Sequence, residues 1–184
     1  MTIGVLAIQG SVIEHLRMLD LLSVEKKEVR TKKDFDECNA LIIPGGESTT
    51  MLSLLAEYKL DKLIIEKVKS GMPIYGTCAG MIVLANLGLI GIEIKRNAYG
   101  SQLDSFETVL TNIKKDQLGV DQLKAVFIRA PQVTVVGTGV DTLAQYNGHP
   151  VLLKQKNILV SSFHPELTDE MYIYKFFLDK IVSP

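Results

Sequence analysis

Cys78 lies in Gly76-Thr77-Cys78-Ala79-Gly80, where a short apolar run containing Ile74 and Tyr75 meets a stretch from Ala79 to Leu87 rich in helix formers. A cysteine at a strand-to-helix turn, with a glycine two residues away on each side, has the spacing of a nucleophile elbow. The turn is tight, and a side chain at Gly76 or Gly80 is expected to collide with the neighbouring strand or helix. Such a turn holds the sulfur out at the top of a sheet. The helix N-terminus behind it, with unpaired N–H groups and the positive dipole end, favours thiolate over thiol. The backbone N–H of Ala79 is a candidate oxyanion donor. Read alone, the segment is equally compatible with Cys78 as a small buried apolar residue.

A cysteine nucleophile needs a base, and the base needs a group to orient it. Ser162-Phe163-His164-Pro165-Glu166 supplies both types. The pattern predicts a strand over Ile158–Phe163 that runs into His164. Residues two apart on extended chain point the same way, so the Glu166 carboxylate can lie beside the imidazole and fix its tautomer. Pro165 favours and stiffens the extended backbone at His164. The chain has three histidines, which leaves few rivals: His149 falls in a hairpin, and His15 in an early amphipathic helix, where it and Glu14 are expected on the exposed face.

Pro44-Gly45-Gly46-Glu47-Ser48 follows one strand and precedes a helix, at the sheet edge where ligands bind in doubly wound folds. Backbone N–H groups near Gly46 fit a second oxyanion donor or a clamp on a polar ligand, and equally a plain turn before a capped helix. The Gly-Lys-Ser/Thr ending of a phosphate-binding loop is missing. Arg96 and Arg129 each end a strand candidate. A guanidinium fork there suits the carboxylate of a small amino-acid substrate, or a solvated structural role.

The elements that must position these residues follow from the chain's patterning. With 184 residues, 47% hydrophobic and 22% charged, the chain suits one domain, 1–184, with its own core. A net charge of −1 with scattered basic residues gives no electrostatic footprint for nucleic acid or an anionic membrane. The start, Met1 to Ile8, reads as a first strand and not a leader. Ala79 to Ile92 is too short for a membrane span, so a cytoplasmic protein is expected. Cys38 and Cys78 form no metal pattern, a disulfide between them is not expected, and Cys38 reads as packing. No metal or cofactor is expected.

Strand and helix signals alternate up to the elbow. A strand over Thr2–Ile8 leads to a helix capped by Ser11 with apolar Val12, Leu16, Leu19 and Leu22, then a short strand over Lys27–Arg30 and a turn or short helix over Asp34–Glu37. A strand over Ala40–Ile43 precedes a helix from Ser48 or Thr49 and a second over Leu60–Ser70, stopped by Gly71. From Ile90 short strands dominate: Ile92–Lys95, Ser105–Leu110, Ala125–Ile128, Val133–Val136, Thr142–Tyr146 and Val151–Gln155, with Asn147-Gly148 as a hairpin signal and a final amphipathic helix over Met171–Val182. The expected architecture is α/β: a doubly wound, flavodoxin-like mixed sheet with helices on both faces and added antiparallel strands in the C-terminal half.

Gly76-Thr77-Cys78-Ala79-Gly80 with His164-Pro165-Glu166 resembles the class I glutamine amidotransferases, whose triad is Cys-His-Glu in this order. Further blocks, Gly4 to Gly10 with Glu14-His15, Pro44 to Thr50, Arg96 to Gly100, Asp104 to Glu107, Phe127 to Pro131 and Ser162 to Leu167, resemble the glutaminase subunits of pyridoxal 5′-phosphate synthase across nearly the whole chain. The resemblance implies hydrolysis of L-glutamine to glutamate and ammonia. The ammonia would pass to a separate (β/α)₈-barrel synthase subunit, in a large hetero-oligomer, that condenses it with pentose and triose phosphates. It implies Cys78 as nucleophile, His164 as base and acid, and Glu166 as orienter. It implies glutamine binding by Gly46, Glu47, Ser48, Arg96, Ile128 and Arg129, and a synthase-facing surface at Gln9 and the following helix. The chain departs from the family at Ser101, where an arginine is usual. The other readings of the same residues are a glutaminase subunit of a different amidotransferase, or an elbow-cysteine redox sensor or chaperone of similar fold.

Overall fold

The computed structural model describes residues 1–96 and 105–183; the expectation at Ser101, and those for Asn97–Gly100 and Asp104, lie outside the described residues. In chain order the elements are β1 (Thr2–Leu6), α1 (Val12–Leu21), β2 (Glu25–Val29), α2 (Lys32–Asp36), β3 (Ala40–Ile43), α3 (Ser48–Glu57), α4 (Leu60–Lys69), β4 (Ile74–Thr77) and α5 (Ala79–Asn86). There follow β5 (Ile92–Lys95), β6 (Ser105–Leu110), β7 (Asn112–Ile113), α6 (Lys115–Leu118), β8 (Leu123–Ile128), β9 (Gln132–Val136), β10 (Asp141–Tyr146), β11 (His149–Gln155), β12 (Ile158–Ser161) and α7 (Tyr172–Phe177), whose helix widens into a π-turn over Leu178–Val182.

Eight strands form one mixed sheet in the order β2-β1-β3-β4-β12-β11-β10-β7. The first five run parallel; from β12 outward the neighbours are antiparallel. Two further antiparallel pairs, β5 with β9 and β6 with β8, stand outside this sheet. The expected α/β architecture with added antiparallel strands is thus the observed one. The central strands are buried on both faces, which is why their sequences read as continuous apolar runs. Successive residues enter opposite cores: Ile3, Val5, Ile42, Tyr75 and Leu159 pack with Met18 and Leu19 of α1 and Tyr174 and Phe177 of α7. Leu6, Leu41, Ile43, Ile74 and Val160 pack with Met51, Leu55, Ile64, Met81 and Leu84 of α3, α4 and α5.

The structure corrects several boundaries. The predicted Ile158–Phe163 strand ends at Ser161. Beyond it the Ser162 N–H donates to Val151 and the His164 N–H to Val126, so the chain turns away from the β4 ladder toward β8. The second strand begins at Glu25, in parallel register with Thr2. The short helix begins at Lys32, behind a Thr31–Asp34 capping box that the polar composition conceals. Ser11 does not cap α1 with its side chain, whereas α3 starts at Ser48 as expected, with Glu47 as its cap. The Asn147-Gly148 hairpin is present between β10 and β11, both residues at positive φ.

The two elbow glycines have distinct neighbours. A Cβ at Gly76 would lie 2.7 Å from the Gly80 backbone, and one at Gly80 would strike the Ile43 carbonyl oxygen on β3. Helix α5 therefore sits directly on the sheet. Gly80→Ala is expected to destabilise the fold by about 1–3 kcal/mol through this overpacking, which thermal or denaturant unfolding of the variant measures.

Candidate active site

Parallel strands β4 and β12 are neighbours, with Thr77 opposite Ser161. Their carboxyl ends deliver Cys78 and the His164 turn to the same edge of the sheet. Cys78 has φ 47° and ψ −102°, a backbone conformation that a non-glycine residue holds only when its surroundings enforce it. Here the Cys78 N–H donates to Ser161 at 2.7 Å on one side, and α5 starts on the other. The thiol is nearly buried and points toward the Ile128 carbonyl at 3.9 Å, with the His164 imidazole on the same cavity wall.

His164 Nδ1 lies 2.8 Å from Glu166 Oε1. The expected pairing is present, but its expected backbone is not. Pro165–Leu167 form a single 3-10 turn, with His164 at φ −108° and ψ 86°. The carboxylate therefore reaches the ring across a tight turn and not along an extended strand. The same Oε1 accepts from the Ser11 hydroxyl at 2.8 Å and lies 3.5 Å from His15 Nε2. His15, expected on a solvent face, is completely buried. Its Nδ1 is 2.6 Å from the Tyr174 hydroxyl and its Nε2 is 3.2 Å from Thr77 Oγ1. The available signal in the sequence was the helical phase: His15 shares a face with Leu19 and Leu22, which point to the core.

Burial opposes the charged form of His164, but hydrogen bonds to Cys78 and Glu166 and the negative charge of both outweigh it, and its pKa is pushed up to about 10 from the ordinary 6.5. Burial likewise opposes ionisation of Glu166, yet the interactions with the His15 and His164 imidazoles that face it hold its carboxyl well below the usual range. The raised pKa of His164 and the depressed pKa of Glu166 favour an imidazolium backed by a carboxylate beside the Cys78 sulfur.

A cavity of about 550 Å³ opens over the sulfur, lined by Gln9, Gly46, Glu47, Ser48, Thr49, Cys78, Ala79, Arg96, Ile128, Arg129 and His164 among others. It gathers every residue expected to bind substrate or an oxyanion. Arg96 donates to Thr49 Oγ1 at 3.0 Å, so one guanidinium edge is already tied to the glycine-loop helix. Arg129 follows β8 with φ 42°, a second unusual backbone at the cavity wall. The Glu47 carboxylate is engaged as the α3 cap, accepting from the Thr49 and Thr50 N–H groups and the Thr50 hydroxyl, which lowers its pKa to about 2. Its side chain thus shapes the loop, and what it offers a ligand is mainly backbone.

Gln9, which the resemblance assigns to a synthase-facing surface, accepts from the Glu47 N–H at 3.0 Å, while the Ser11 N–H donates to the Gly45 carbonyl at 3.0 Å. The glycine loop is thereby tied to the start of α1. A Cβ at Gly45 would strike the His164 ring. Cys38 lies away from the cavity, its thiol donating to the Asp34 carbonyl at 3.2 Å, as a packing residue would. Among the described residues no group of acidic, histidine and cysteine side chains is placed to hold a metal ion, and no helix is long and apolar enough to cross a membrane.

Two outcomes follow from this geometry. Gly45→Ala displaces the imidazole and is expected to reduce turnover about a hundredfold while leaving the sheet intact, as read by steady-state kinetics beside circular dichroism. The second concerns pH. Because the folded-state pKa of His164 is raised, its contribution to stability is complete below 6.5 and is lost as pH rises toward about 10. The contribution of Glu166, whose pKa is depressed, is present above 4.5 and lost as pH falls through its lower folded value. A ¹³C-labelled imidazole signal from His164 should therefore stay in its protonated position at pH 8, and move to its neutral position in Glu166→Gln at the same pH.

The comparisons with known proteins agree with this geometry. The family model described as SNO glutamine amidotransferase family matches residues 5–183. The chain is 43% identical to a pyridoxal 5′-phosphate synthase subunit PdxT of Thermotoga neapolitana, over 98% of this chain and 100% of the relative. It is 49% identical to the protein of the same description from Francisella philomiragia, over 97% and 98%. A crystal structure of a glutamine amidotransferase superposes with a TM-score of 0.92 at 40% identity, covering 99% of each chain. A putative GMP synthase protein from Thermoplasma acidophilum, at 18% identity and TM-score 0.79 over 100% of this chain and 94% of its own, shares the fold. With a triad set on this sheet edge and a family model matched over nearly its whole length, the chain belongs to the SNO glutamine amidotransferase family.

Proposed function

We propose that this chain is a single amidotransferase domain, 1–184, that hydrolyses L-glutamine with Cys78 as nucleophile, His164 as acid and base, and Glu166 as orienter. The observation that carries the assignment is the elbow cysteine sharing one cavity wall with an imidazole whose Nδ1 rests 2.8 Å from a buried carboxylate. The Cys78 thiolate attacks the side-chain amide carbon of glutamine, a C–S bond forms, and the carbonyl electrons move to oxygen. Backbone N–H groups of Ala79 and of the Gly46 loop are placed to receive that oxyanion. His164 gives its proton to the amide nitrogen, the C–N bond breaks, and ammonia leaves. Water then gives a proton to His164 and attacks the thioester; the C–S bond breaks, releasing glutamate.

Substrate selection follows from the cavity wall. Gly46, Glu47 and Ser48 present loop backbone and the buried start of α3, Ile128 presents its carbonyl, and Arg96 and Arg129 supply the cations that a free α-carboxylate requires. The tied Arg96 is the more fixed of the two. A redox-sensing cysteine has no need of His164 and Glu166 in this alignment.

Relatives 43–49% identical along the full chain are named as pyridoxal 5′-phosphate synthase subunits. On that basis the ammonia goes to a synthase subunit, which we take to be a (β/α)₈ barrel within a large hetero-oligomer, working in the cytoplasm. Gln9 and α1 are the surface offered to it, since they are the segments tied to the glycine loop.

Glutamate release from glutamine, measured on the chain alone and with a synthase subunit, tests the assignment. Release is expected to rise with the partner and to fall at least about a thousandfold in Cys78→Ala. A folded, partner-bound chain that releases no glutamate would overturn it.

A further inference from the structure

His15 belongs to no expected member of the site, yet it is completely buried between the two segments that carry the triad. An imidazole in that position is unfavourable unless each ring nitrogen is satisfied. Both are. Tyr174 is fully buried and burial raises its phenol pKa well above the ordinary value, so its hydroxyl stays protonated and donates to Nδ1 at 2.6 Å. That donation leaves the proton on Nε2, which faces Thr77 Oγ1 at 3.2 Å and Glu166 Oε1 at 3.5 Å. Thr77 is the residue immediately before the nucleophile, and Glu166 is the orienter of the base.

The surroundings hold this arrangement in place. The Tyr174 ring stands edge-on to Tyr75 at 6.2 Å, and the Tyr75 hydroxyl is 3.0 Å from Ser161 Oγ, which donates to the Phe163 carbonyl. Ser11, at the start of the same helix as His15, adds the second contact from α1 to Glu166 Oε1. The other carboxylate oxygen, Oε2, is buried without a hydrogen-bond partner among the described residues. The orientation of the carboxylate therefore depends on what grips Oε1, and two of its three neighbours come from α1 and the residue that precedes it.

We propose that His15 is a positioning residue of the glutaminase: by bonding Thr77 and Glu166 together it sets the nucleophile and the orienter of the base in register, and makes the triad answer to the position of α1. Removing the imidazole leaves Glu166 free to rotate about its contacts with His164 and Ser11, which weakens its hold on His164. The support that the imidazole gives the Cys78 sulfur weakens with it.

The inference rests on glutamine hydrolysis through Cys78, so its test has one readout that needs no substrate. His15→Leu, His15→Gln and Tyr174→Phe are compared with the wild-type chain in complex with its synthase subunit. Glutamate release is measured, together with the pH profile of iodoacetamide alkylation read at the Cys78 peptide, so that Cys38 does not contribute. His15→Leu is expected to lower kcat about tenfold to a hundredfold with KM little changed, and to move the alkylation profile to higher pH. His15→Gln, whose amide N–H can occupy the place of Nε2, is expected to recover much of both. Tyr174→Phe, which deletes one oxygen, shifts both in the same direction by less, and decides the matter if His15→Leu does not fold. A residue with a purely structural role would lower the melting temperature while leaving the alkylation profile in place, with Gln no better than Leu; that result overturns the proposal. A wild-type complex that releases no glutamate defeats the glutaminase assignment instead, and the alkylation profiles still decide whether His15 positions Cys78 and Glu166.

Discussion

The Oε1 oxygen of Glu166 is where the site is held together. His164 Nδ1 and the Ser11 hydroxyl each lie 2.8 Å from it, and His15 Nε2 lies 3.5 Å away. A carboxylate this deeply buried is tolerable only when it is paired and hydrogen-bonded. Its partners come from opposite ends of the chain, so satisfying this one charge requires α1 to lie against the turn after β12. Much else then follows. The start of α1 meets the glycine loop, Gln9 reaches Glu47, and the wall of the cavity is set.

The remaining precision comes from the parallel sheet. Cys78 and His164 leave adjacent strands whose register is locked by backbone hydrogen bonds, and those strands are buried on both faces. A rigid platform of this kind can enforce φ 47° at Cys78, and it leaves the elbow little freedom to relax. Close approach of backbone does the rest: Gly80 lies against the Ile43 carbonyl, and Gly45 lies against the His164 ring. In both places glycine is required by a neighbour, which is a stronger reason than flexibility.

The substrate side is built differently from the catalytic side. Arg96 and Arg129 follow the short strands β5 and β8, which belong to two-stranded pairs outside the main sheet. The chemistry and the glycine loop thus stand on the main sheet, and the two recognition cations on the added pairs. This division places the reacting groups where packing is tightest, and leaves the groups that select a ligand on elements with fewer constraints.

The residues gathered in the cavity came from the resemblance to the glutaminase subunits, whereas local patterns were enough to indicate the α/β alternation, the elbow at Cys78, the pairing of His164 with Glu166 and the Asn147-Gly148 hairpin. Each depends on spacing within a few residues, or on apolar runs that only a doubly buried strand tolerates. What local patterns misjudged were groups whose partners are distant in the chain. Ser11 has the look of a helix cap but donates to a carboxylate 155 positions away. His15 has the look of a surface residue but is buried against Thr77, Glu166 and Tyr174, from three other elements. The strand before His164 stops early because its next N–H groups are taken by β11 and β8. The sequence by itself marked the groups proposed for the chemistry, through local spacing together with blocks shared with the family. The tertiary structure alone decided which groups hold them, because a buried polar atom is satisfied by whatever folding brings within hydrogen-bond reach, and nothing in the neighbouring residues records that.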